Sequence, residues 1–557
     1  MDEITSLKGS PRDHGRMSDH GTFSDAEATK SSPIIEETSL LVDESCIDTA
    51  ESIIDTHEQK ARLIDYELER QGMGRYQTTI FLLCGFGYLL DLLWAQAFGL
   101  IITPMQTEFG FDDTALGHIF TSFSLGLTFG ALVWGILVDI LGRSVAFNST
   151  VLITAVFGTW LGAMGSYDGV LVLVALTGIG VGGNIPIDTT ICLECLPQSR
   201  RWLLPALSAF QPLGVVICCG MAYMLVPRYS CQEGLPSCTV SSVDAGDISK
   251  CCVKGDNLGW RYLLFLIGII TVVAFVLRSL VFKFEESPKY LVYRGRDQDA
   301  VRVLEYMAKY NGRECGLTLD MLEALNGEAN MDDMDTPLPG TGMEEQKRSV
   351  SQKILAEFGR FKVLFSTFAM ARLVVLVWVI YAFDYWGFTI AGAFLPTILS
   401  RKGRSLGLTV DETYRSYLFI YVCGIPGVLA GTLIYGQRRL ALLASSLLFG
   451  ACLFIFTVVK DEASYIGISG LEYFFQSMFN AILYGWTPEV FPASVRGSAC
   501  GLASFWGRSF SIIAPIAGSQ MLARSLDGVL YLAGGSVWVC TIAIMLLPRE
   551  FMGRNTL

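Results

Sequence analysis

The chain has 557 residues, of which 52% are hydrophobic and only 17% are charged. Soluble domains carry charge on roughly a quarter of their residues, so this composition excludes an ordinary soluble protein and predicts a membrane protein. The net charge of −12 falls mostly in segments outside the apolar runs, and it argues against nucleic-acid binding, which basic surfaces favour.

The first predicted segment, residues 1–77, is a disordered cytoplasmic tail with a juxtamembrane helix near its end. Residues 1–60 are polar and rich in Ser, Asp and Glu, a composition typical of disorder. They contain no pattern of a cleavable signal peptide, so the first apolar run is expected to act as the signal anchor.

Twelve apolar runs follow, each long enough for a helix to cross roughly 30 Å of hydrocarbon. The predicted helices of the first half are 78–103, 115–138, 144–165, 168–194, 203–226 and 260–282, and those of the second half are 370–396, 416–435, 440–458, 463–486, 499–523 and 529–547. The fold class is an all-α membrane protein with two pseudo-symmetric six-helix bundles, 78–282 and 370–547. A cytoplasmic linker, 283–369, joins the bundles, and a cytoplasmic tail, 548–557, ends the chain.

Orientation follows from the short loops, because Lys and Arg concentrate on the cytoplasmic side of a membrane protein. Most of them lie on one side, which predicts that both termini are cytoplasmic and that the loop between helices 5 and 6 is outside. This loop carries four cysteines, a pattern typical of disulfides on an oxidising face. We expect one or two disulfides among Cys231, Cys238, Cys251 and Cys252, with three pairings open if all four join.

An internal repeat relates the two halves. Its first copy begins with a glycine-rich stretch, 178–183, which favours close helix packing in lipid, and continues to Glu194 and Arg200. The second copy places Glu489 and Arg496 in the same order, and in both copies a Pro stands three residues after the Glu. Duplicated halves of this kind are typical of transporters.

A loop motif after the second helix points to a family. The segment 135–143, GILVDILGR, resembles the GxxxDxxGR loop of the major facilitator superfamily. In that family such charges hold the cytoplasmic side closed when the transporter faces out, so the resemblance implies a gating role and makes Glu194 the expected partner of Arg143. The candidate gating residues are Gly135, Asp139, Gly142, Arg143, Glu194, Arg200, Glu489 and Arg496.

Further motifs narrow the resemblance to the sugar-porter-related, synaptic-vesicle-protein-like branch, especially its fungal members. They are GMGRYQ at 72–77, GGNIP at 182–186, ESPKYL at 286–291 and TPEVFP at 487–492. The chain departs from true sugar porters at 381–387, YAFDYWG, where those proteins carry the QQxxG that binds sugar hydroxyls. This departure argues against a hexose as the solute.

Acidic side chains inside the predicted helices suggest proton coupling. Asp91 in helix 1 and Asp384 in helix 7 occupy nearly equivalent places under the duplication, and Asp188 lies in helix 4. A carboxylate buried in a low-dielectric environment can take up and release a proton at physiological pH, and such residues are functional candidates by default. The alternative is that each is paired with a buried polar group and never titrates.

Polar and aromatic side chains on the same helices are candidate solute contacts. They are Gln96, Asn184, Gln211, Tyr381, Trp386 and Asn480. Because no intramembrane Arg stands out as the partner of the first-half acids, this set favours a neutral or cationic solute.

The sequence therefore predicts a monomeric secondary active transporter that moves a small organic solute across a lipid bilayer by alternating access, coupled to protons. The plasma membrane and the vacuole or endosome are both compatible locations. A non-transporting solute sensor on the same fold, and an exporter working by proton antiport, remain alternatives. An enzyme is not expected, since no phosphate loop, metal-ligand cluster or paired nucleophile and base is visible, and neither a cofactor nor a metal is predicted.

Overall fold

Backbone polar groups inside lipid must be satisfied within the chain, so long apolar runs form helices. All twelve predicted runs are helical in the computed structural model. The structure describes residues 59–200, 203–231, 235, 237–238, 251–282, 284–328, 364–365, 367–405, 409–459, 461–491 and 496–548, without the side chains of 135–136, 139–140, 186, 205, 281, 326–328, 402–405, 462, 488–489 and 496–498.

The first half contains six membrane helices, two of which are composite. They are α1 (Arg75–Phe109), α2 (Leu116–Leu141), α3 (Arg143–Leu161), α4 (Tyr167–Cys195), α5 (Leu203–Leu207 and Phe210–Leu225) and α6 (Gly259–Val276, continued by a π turn, Leu277–Val281). The first helix is longer than predicted at both ends.

The second half repeats this arrangement. Its helices are α7 (Phe368–Ser405), α8 (Val410–Val422 and Gly424–Leu433), α9 (Arg438–Val458), α10 (Glu462–Val490), α11 (Arg496–Arg524) and α12 (Leu526–Leu546). Within the described residues, nine helices are by themselves long and apolar enough to cross a membrane. The three others, α5, α10 and α11, are interrupted or carry polar side chains that line the cavity described below.

The glycine-rich stretch at 178–183 brings α4 into backbone contact with α2. A Cβ atom on Gly178 would lie 2.7 Å from the carbonyl oxygen of Phe123, and one on Gly182 would lie 2.3 Å from that of Leu127. Real Cβ atoms do not approach so closely, so only glycine permits this packing. The close contact fixes the polar residues that follow on α4.

A folded layer covers one end of the first half, and we term this end the linker face. It consists of residues 59–71 and three helices of the linker, Pro288–Tyr293, Asp297–Tyr310 and Leu319–Glu328. Ile64 and Leu68 are buried in the same hydrophobic cluster as Leu304 and Leu322, which is the amphipathic packing expected of a surface helix. Residues 329–363, most of the rest of the linker, lie outside the described part of the chain.

Polar contacts connect the helix 59–71 to the linker helices of this layer. Lys289 pairs with Asp65, and Lys60 pairs with Asp297 at 2.5 Å between Nζ and Oδ2. Burial would raise the pKa of Glu67, but hydrogen bonds from Arg70 and other groups outweigh it and lower that pKa.

The opposite end, which we term the disulfide face, carries the cysteine loop. The structure joins Cys231 to Cys252 and Cys238 to Cys251, which is one of the three pairings left open by the sequence. The hydroxyl of Ser237 donates a hydrogen bond of 2.7 Å to the carbonyl oxygen of Glu108 at the end of α1. The loop is thereby attached to the first half.

Candidate functional site

A cavity of about 170 Å³ lies between the two halves. Its walls come from α1, α2, α4 and α5 in the first half and from α7, α8, α10 and α11 in the second. Most of the lining is apolar and aromatic, with a limited set of polar groups, which is typical of a small-molecule site. The polar lining includes Asp91, Gln96, Ser124, Gln211, Thr389, Glu472, Gln476, Asn480, Arg508 and Ser511.

Asp91 is the carboxylate that the first half presents to this cavity. Its side chain is buried, and the amide nitrogen of Asn184 donates a hydrogen bond of 2.9 Å to Oδ1. Oδ2 has no hydrogen-bond partner among the described residues. Asn184, predicted as a solute contact, does not line the cavity and instead positions Asp91.

Helix α10 presents a row of polar side chains to the cavity. Glu472, Gln476 and Asn480 recur every four residues and therefore share one face of the helix, and all three line the cavity. Neither carboxylate oxygen of Glu472, nor Nε2 of Gln476, nor Oδ1 of Asn480 has a hydrogen-bond partner in the described part of the chain. Buried polar groups in native proteins are nearly always satisfied, so these three are available to a bound solute.

Arg508 on α11 supplies a positive charge to the same cavity. The side chain is only 6% exposed, and its Nη1 donates a hydrogen bond of 3.2 Å to the carbonyl oxygen of Leu127 on α2. No ion pair joins Arg508 to a carboxylate of the described residues. Arg508 was not among the residues predicted from the sequence, although an Arg within an apolar run is itself a signal of function.

Asp188 lies outside the cavity lining, in a buried ion pair. Its Oδ2 accepts a hydrogen bond of 3.2 Å from Nη2 of Arg278 on α6, and the two side chains are 0% and 1% exposed. Arg278 also donates to the carbonyl oxygen of Leu83 at 2.8 Å and lies over the ring of Phe147. The expectation that first-half acids lack an intramembrane Arg therefore does not hold for Asp188, whose partner is 90 residues away along the chain.

The remaining predicted residues divide between the cavity and the surrounding helix packing. Gln96, Gln211 and Asn480 line the cavity, as predicted solute contacts would. Asp384 is buried on α7, outside the lining, and neither of its carboxylate oxygens has a hydrogen-bond partner among the described residues. Tyr381 donates its hydroxyl to Thr487 at 2.9 Å, and Trp386 packs against Phe510; neither ring lines the cavity.

The linker face brings two predicted gating residues together. Nη2 of Arg143 lies 3.5 Å from Oε1 of Glu194, and the guanidinium lies over the ring of Tyr290. A residue that sequence reasoning did not single out, Glu286, accepts hydrogen bonds from the backbone N–H groups of Arg143 and Ser144 at 2.9 and 3.3 Å. A carboxylate at the N-terminus of a helix is favoured by its unpaired N–H groups and dipole, so the ESPKYL segment anchors the linker to α3.

The other candidate gating residues are less fully described. The side chains of Asp139, Glu489 and Arg496, and the surroundings of Gly135, lie outside the described part of the structure. Arg200 is exposed next to Ser199, whose backbone N–H donates a hydrogen bond of 3.1 Å to Glu69. Hydrogen bonds from the side chain and the backbone of Ser199 lower the pKa of Glu69.

Gly142 is required where the chain turns into α3. Its φ angle is 96°, and a Cβ atom there would lie 2.4 Å from Oε2 of Glu286. We expect Gly142→Ala to lower the free energy of unfolding by about 1–3 kcal/mol, because it strains the backbone and displaces the carboxylate from the N–H groups. The measurement is the thermal unfolding of the purified protein in detergent.

Gly436, between α8 and α9 of the second half, provides the control. A Cβ atom there would meet nothing within 4 Å, and the residue does not have a positive φ angle. Gly436→Ala should therefore leave the unfolding temperature nearly unchanged. Equal effects of the two substitutions would contradict the assigned role of Gly142.

The halves are held together at the disulfide face. Arg401 at the end of α7 forms two hydrogen bonds of 2.6 and 2.9 Å with the carboxylate of Asp113, between α1 and α2. The hydroxyl of Tyr414 on α8 donates to the carbonyl oxygen of Leu100 on α1 at 2.8 Å. These contacts join the two halves on this side of the cavity.

A two-bundle helical architecture, with a cavity between the halves that carries a limited set of polar groups, defines a class of membrane transport proteins. Residues 84–515 match the Major Facilitator Superfamily. Because this match covers most of the chain, the chain belongs to that family.

Relatives and solved structures agree with this assignment. The chain is 33% identical over 512 residues to MFS siderochrome iron transporter 1 of Ceriporiopsis subvermispora, covering 90% of this chain and 92% of that protein. It is 23% identical over 514 residues to the synaptic vesicle 2-related protein of Pongo abelii, with coverage of 88% and 82%. The partially occluded inward-open structure of the xylose transporter XylE from E. coli superposes with a TM-score of 0.61 at 14% identity, with 85% of this chain and 98% of that chain covered, and shows the shared fold.

These findings confirm three predictions from the sequence. The chain has the twelve-helix fold of the family, it is an integral multi-pass membrane protein, and its biochemical class is solute transport and not enzyme catalysis. The resemblance to the synaptic-vesicle-protein-like branch is likewise supported by the relatives.

Proposed function

We propose that this protein is a proton-coupled secondary active transporter of a small organic solute, and that the cavity between its halves is the solute site. Binding and release alternate between the two faces as the halves rock about the cavity. The name of the siderochrome iron transporter, one third identical in sequence, supports an organic solute, and the structural likeness to a proton:xylose symporter is compatible with coupling.

The observation that carries the proposal is the environment of Asp91. Its Oδ1 is held by Asn184, while Oδ2 faces no partner among the described residues and the residue lines the cavity. A carboxyl group so placed can exchange a proton with the cavity and sense the charge of a bound solute. We assign coupling to Asp91 over Asp188, which is engaged by Arg278, and over Asp384, which lies outside the lining.

The contacts at the two faces support a gating cycle. In the described state Arg401 with Asp113 and Tyr414 with Leu100 join the halves at the disulfide face. Opening this face requires those contacts to separate, while the charges of Arg143 and Glu194 with their second-half counterparts, Glu489 and Arg496, would hold the linker face closed. With both termini inside, as the positive-inside rule predicts, the linker face lies on the cytoplasmic side.

Solute-driven proton movement tests this proposal. Purified protein is reconstituted into liposomes containing a pH-sensitive dye, the membrane potential is clamped, and nicotinate, carnitine, 4-aminobenzoate, a ferric siderophore and xylose are added in turn. We expect at least one solute to change the internal pH in a saturable manner that protein-free liposomes do not reproduce. Protein-mediated solute uptake without any proton movement would contradict coupling.

A further inference from the structure

The cavity contains groups of both charge signs on separate helices, and this arrangement constrains the solute. Arg508 on α11 and Glu472 on α10 both line it and are 6% and 3% exposed. Neither forms an ion pair with another described residue; the described hydrogen bonds of the Arg508 side chain are to Ser504 and to the backbone oxygen of Leu127. A buried charge is costly unless it is paired. Asp91 attracts Arg508 electrostatically without forming an ion pair with it, so both Arg508 and Glu472 still lack a directly bonded counterpart within the described part of the chain.

The two residues also occupy different positions along their helices. Glu472 is ten residues from the disulfide-face end of α10, and Arg508 is sixteen residues from that end of α11. At 1.5 Å per residue, the Cα atom of Arg508 is roughly 9 Å farther from the disulfide face than that of Glu472, while the Arg508 side chain bonds the carbonyl oxygen of Leu127, eleven residues from the disulfide-face end of α2. A solute that satisfies both groups must therefore present its anionic group to α11 and its donor groups to α10.

We propose that the solute is an amphiphilic organic acid whose carboxylate binds Arg508 and whose hydrogen-bond donors bind Glu472 and Gln476. The guanidinium offers a planar donor pair that matches a carboxylate. Apolar and aromatic walls, which include Phe120, Phe123 and Phe388, accommodate the body of the molecule between its polar ends. This inference rests on the proposed transport function, because it names the class of solute for that cavity.

Matched pairs of acids and amides test the assignment by binding alone. The affinity of the purified protein in detergent is measured for nicotinate against nicotinamide, 4-aminobenzoate against 4-aminobenzamide, and phenylalanine against phenylalaninamide. Hydrogen bonds to a charged group contribute about 1.5–3 kcal/mol, so we expect at least one acid to bind 10-fold to 100-fold more tightly than its amide. Arg508→Gln should reduce this ratio to near one, and Arg508→Lys should keep part of it.

Arg524→Gln is the control, because it removes the same charge from the exposed end of the same helix. It should leave the acid-to-amide ratio unchanged, and gel filtration and thermal unfolding establish that each variant is folded. The assignment is overturned if no acid in the set binds more tightly than its amide, or if Arg508→Gln and Arg524→Gln behave alike. Proton movement driven by a neutral or cationic solute would in that case still support the transport proposal.

Discussion

Asp188→Asn is expected to abolish most of the folded, monodisperse protein. The substitution leaves Arg278, which is 1% exposed, without its charge partner in the interior of the first half. Removing one member of a buried ion pair costs about 3–5 kcal/mol, which is a large share of the stability of an ordinary protein. The measurement is the yield of monodisperse protein by fluorescence-detected gel filtration, together with the apparent unfolding temperature.

Substitution of the arginine of this pair should destabilise the protein less. Arg278→Gln leaves Asp188 unpaired, but a carboxyl group can take up a proton and become neutral, whereas a guanidinium stays charged. The double variant Asp188→Asn/Arg278→Gln, which removes both charges, should recover much of the loss. Asp168→Asn, at the exposed start of the same helix, is the matched control, with an effect of about 1 kcal/mol or less. If Asp188→Asn and Asp168→Asn had the same effect, the ion pair of Asp188 with Arg278 would not stabilise the first half.

The architecture was predictable from the sequence because it follows from local composition. Apolar runs of membrane-spanning length specify helices wherever they occur, and the duplicated Glu and Arg residues mark equivalent places in the two halves. The ion pair between Arg143 and Glu194 could also be predicted, because the sequence places both residues at the same membrane face. The four loop cysteines could be recognised as a group, but their spacing does not select a pairing.

The identities of the buried partners were not predictable in the same way. Arg278 follows Asp188 by 90 residues. The two side chains meet beside Gly87 of α1, where there is no room for a larger residue, because a Cβ atom on Gly87 would lie 1.7 Å from Oδ2 of Asp188. Arg508 and Glu472 share a cavity only through the packing of α10 and α11. Because the sequence prediction considered the intramembrane acids and neither arginine, it favoured a neutral or cationic solute, whereas the cavity carries a guanidinium as well.

The second large effect is expected at the proposed coupling site. Asp91→Asn keeps the shape of the side chain and an oxygen that can accept the hydrogen bond from Asn184, but it removes the exchangeable proton. The variant should therefore still bind the solute and exchange it across the membrane at equal concentrations. It should fail to accumulate solute against a gradient, because solute movement is no longer tied to proton movement.

The size of the expected loss of accumulation follows from the driving force that a pH gradient supplies. A difference of one pH unit is worth about 1.4 kcal/mol, which for one proton per solute supports an accumulation of about tenfold. In Asp91→Asn that ratio should fall to about one. Asp384→Asn, at the equivalent place of the second half but outside the cavity lining, should keep the ratio of the wild type.

The decisive test of proton coupling through the cavity is solute accumulation in proteoliposomes. It is measured under an imposed pH gradient with the membrane potential clamped. We predict accumulation by the wild-type protein and by Asp384→Asn, and equilibration without accumulation by Asp91→Asn. Undiminished accumulation by Asp91→Asn would contradict this prediction.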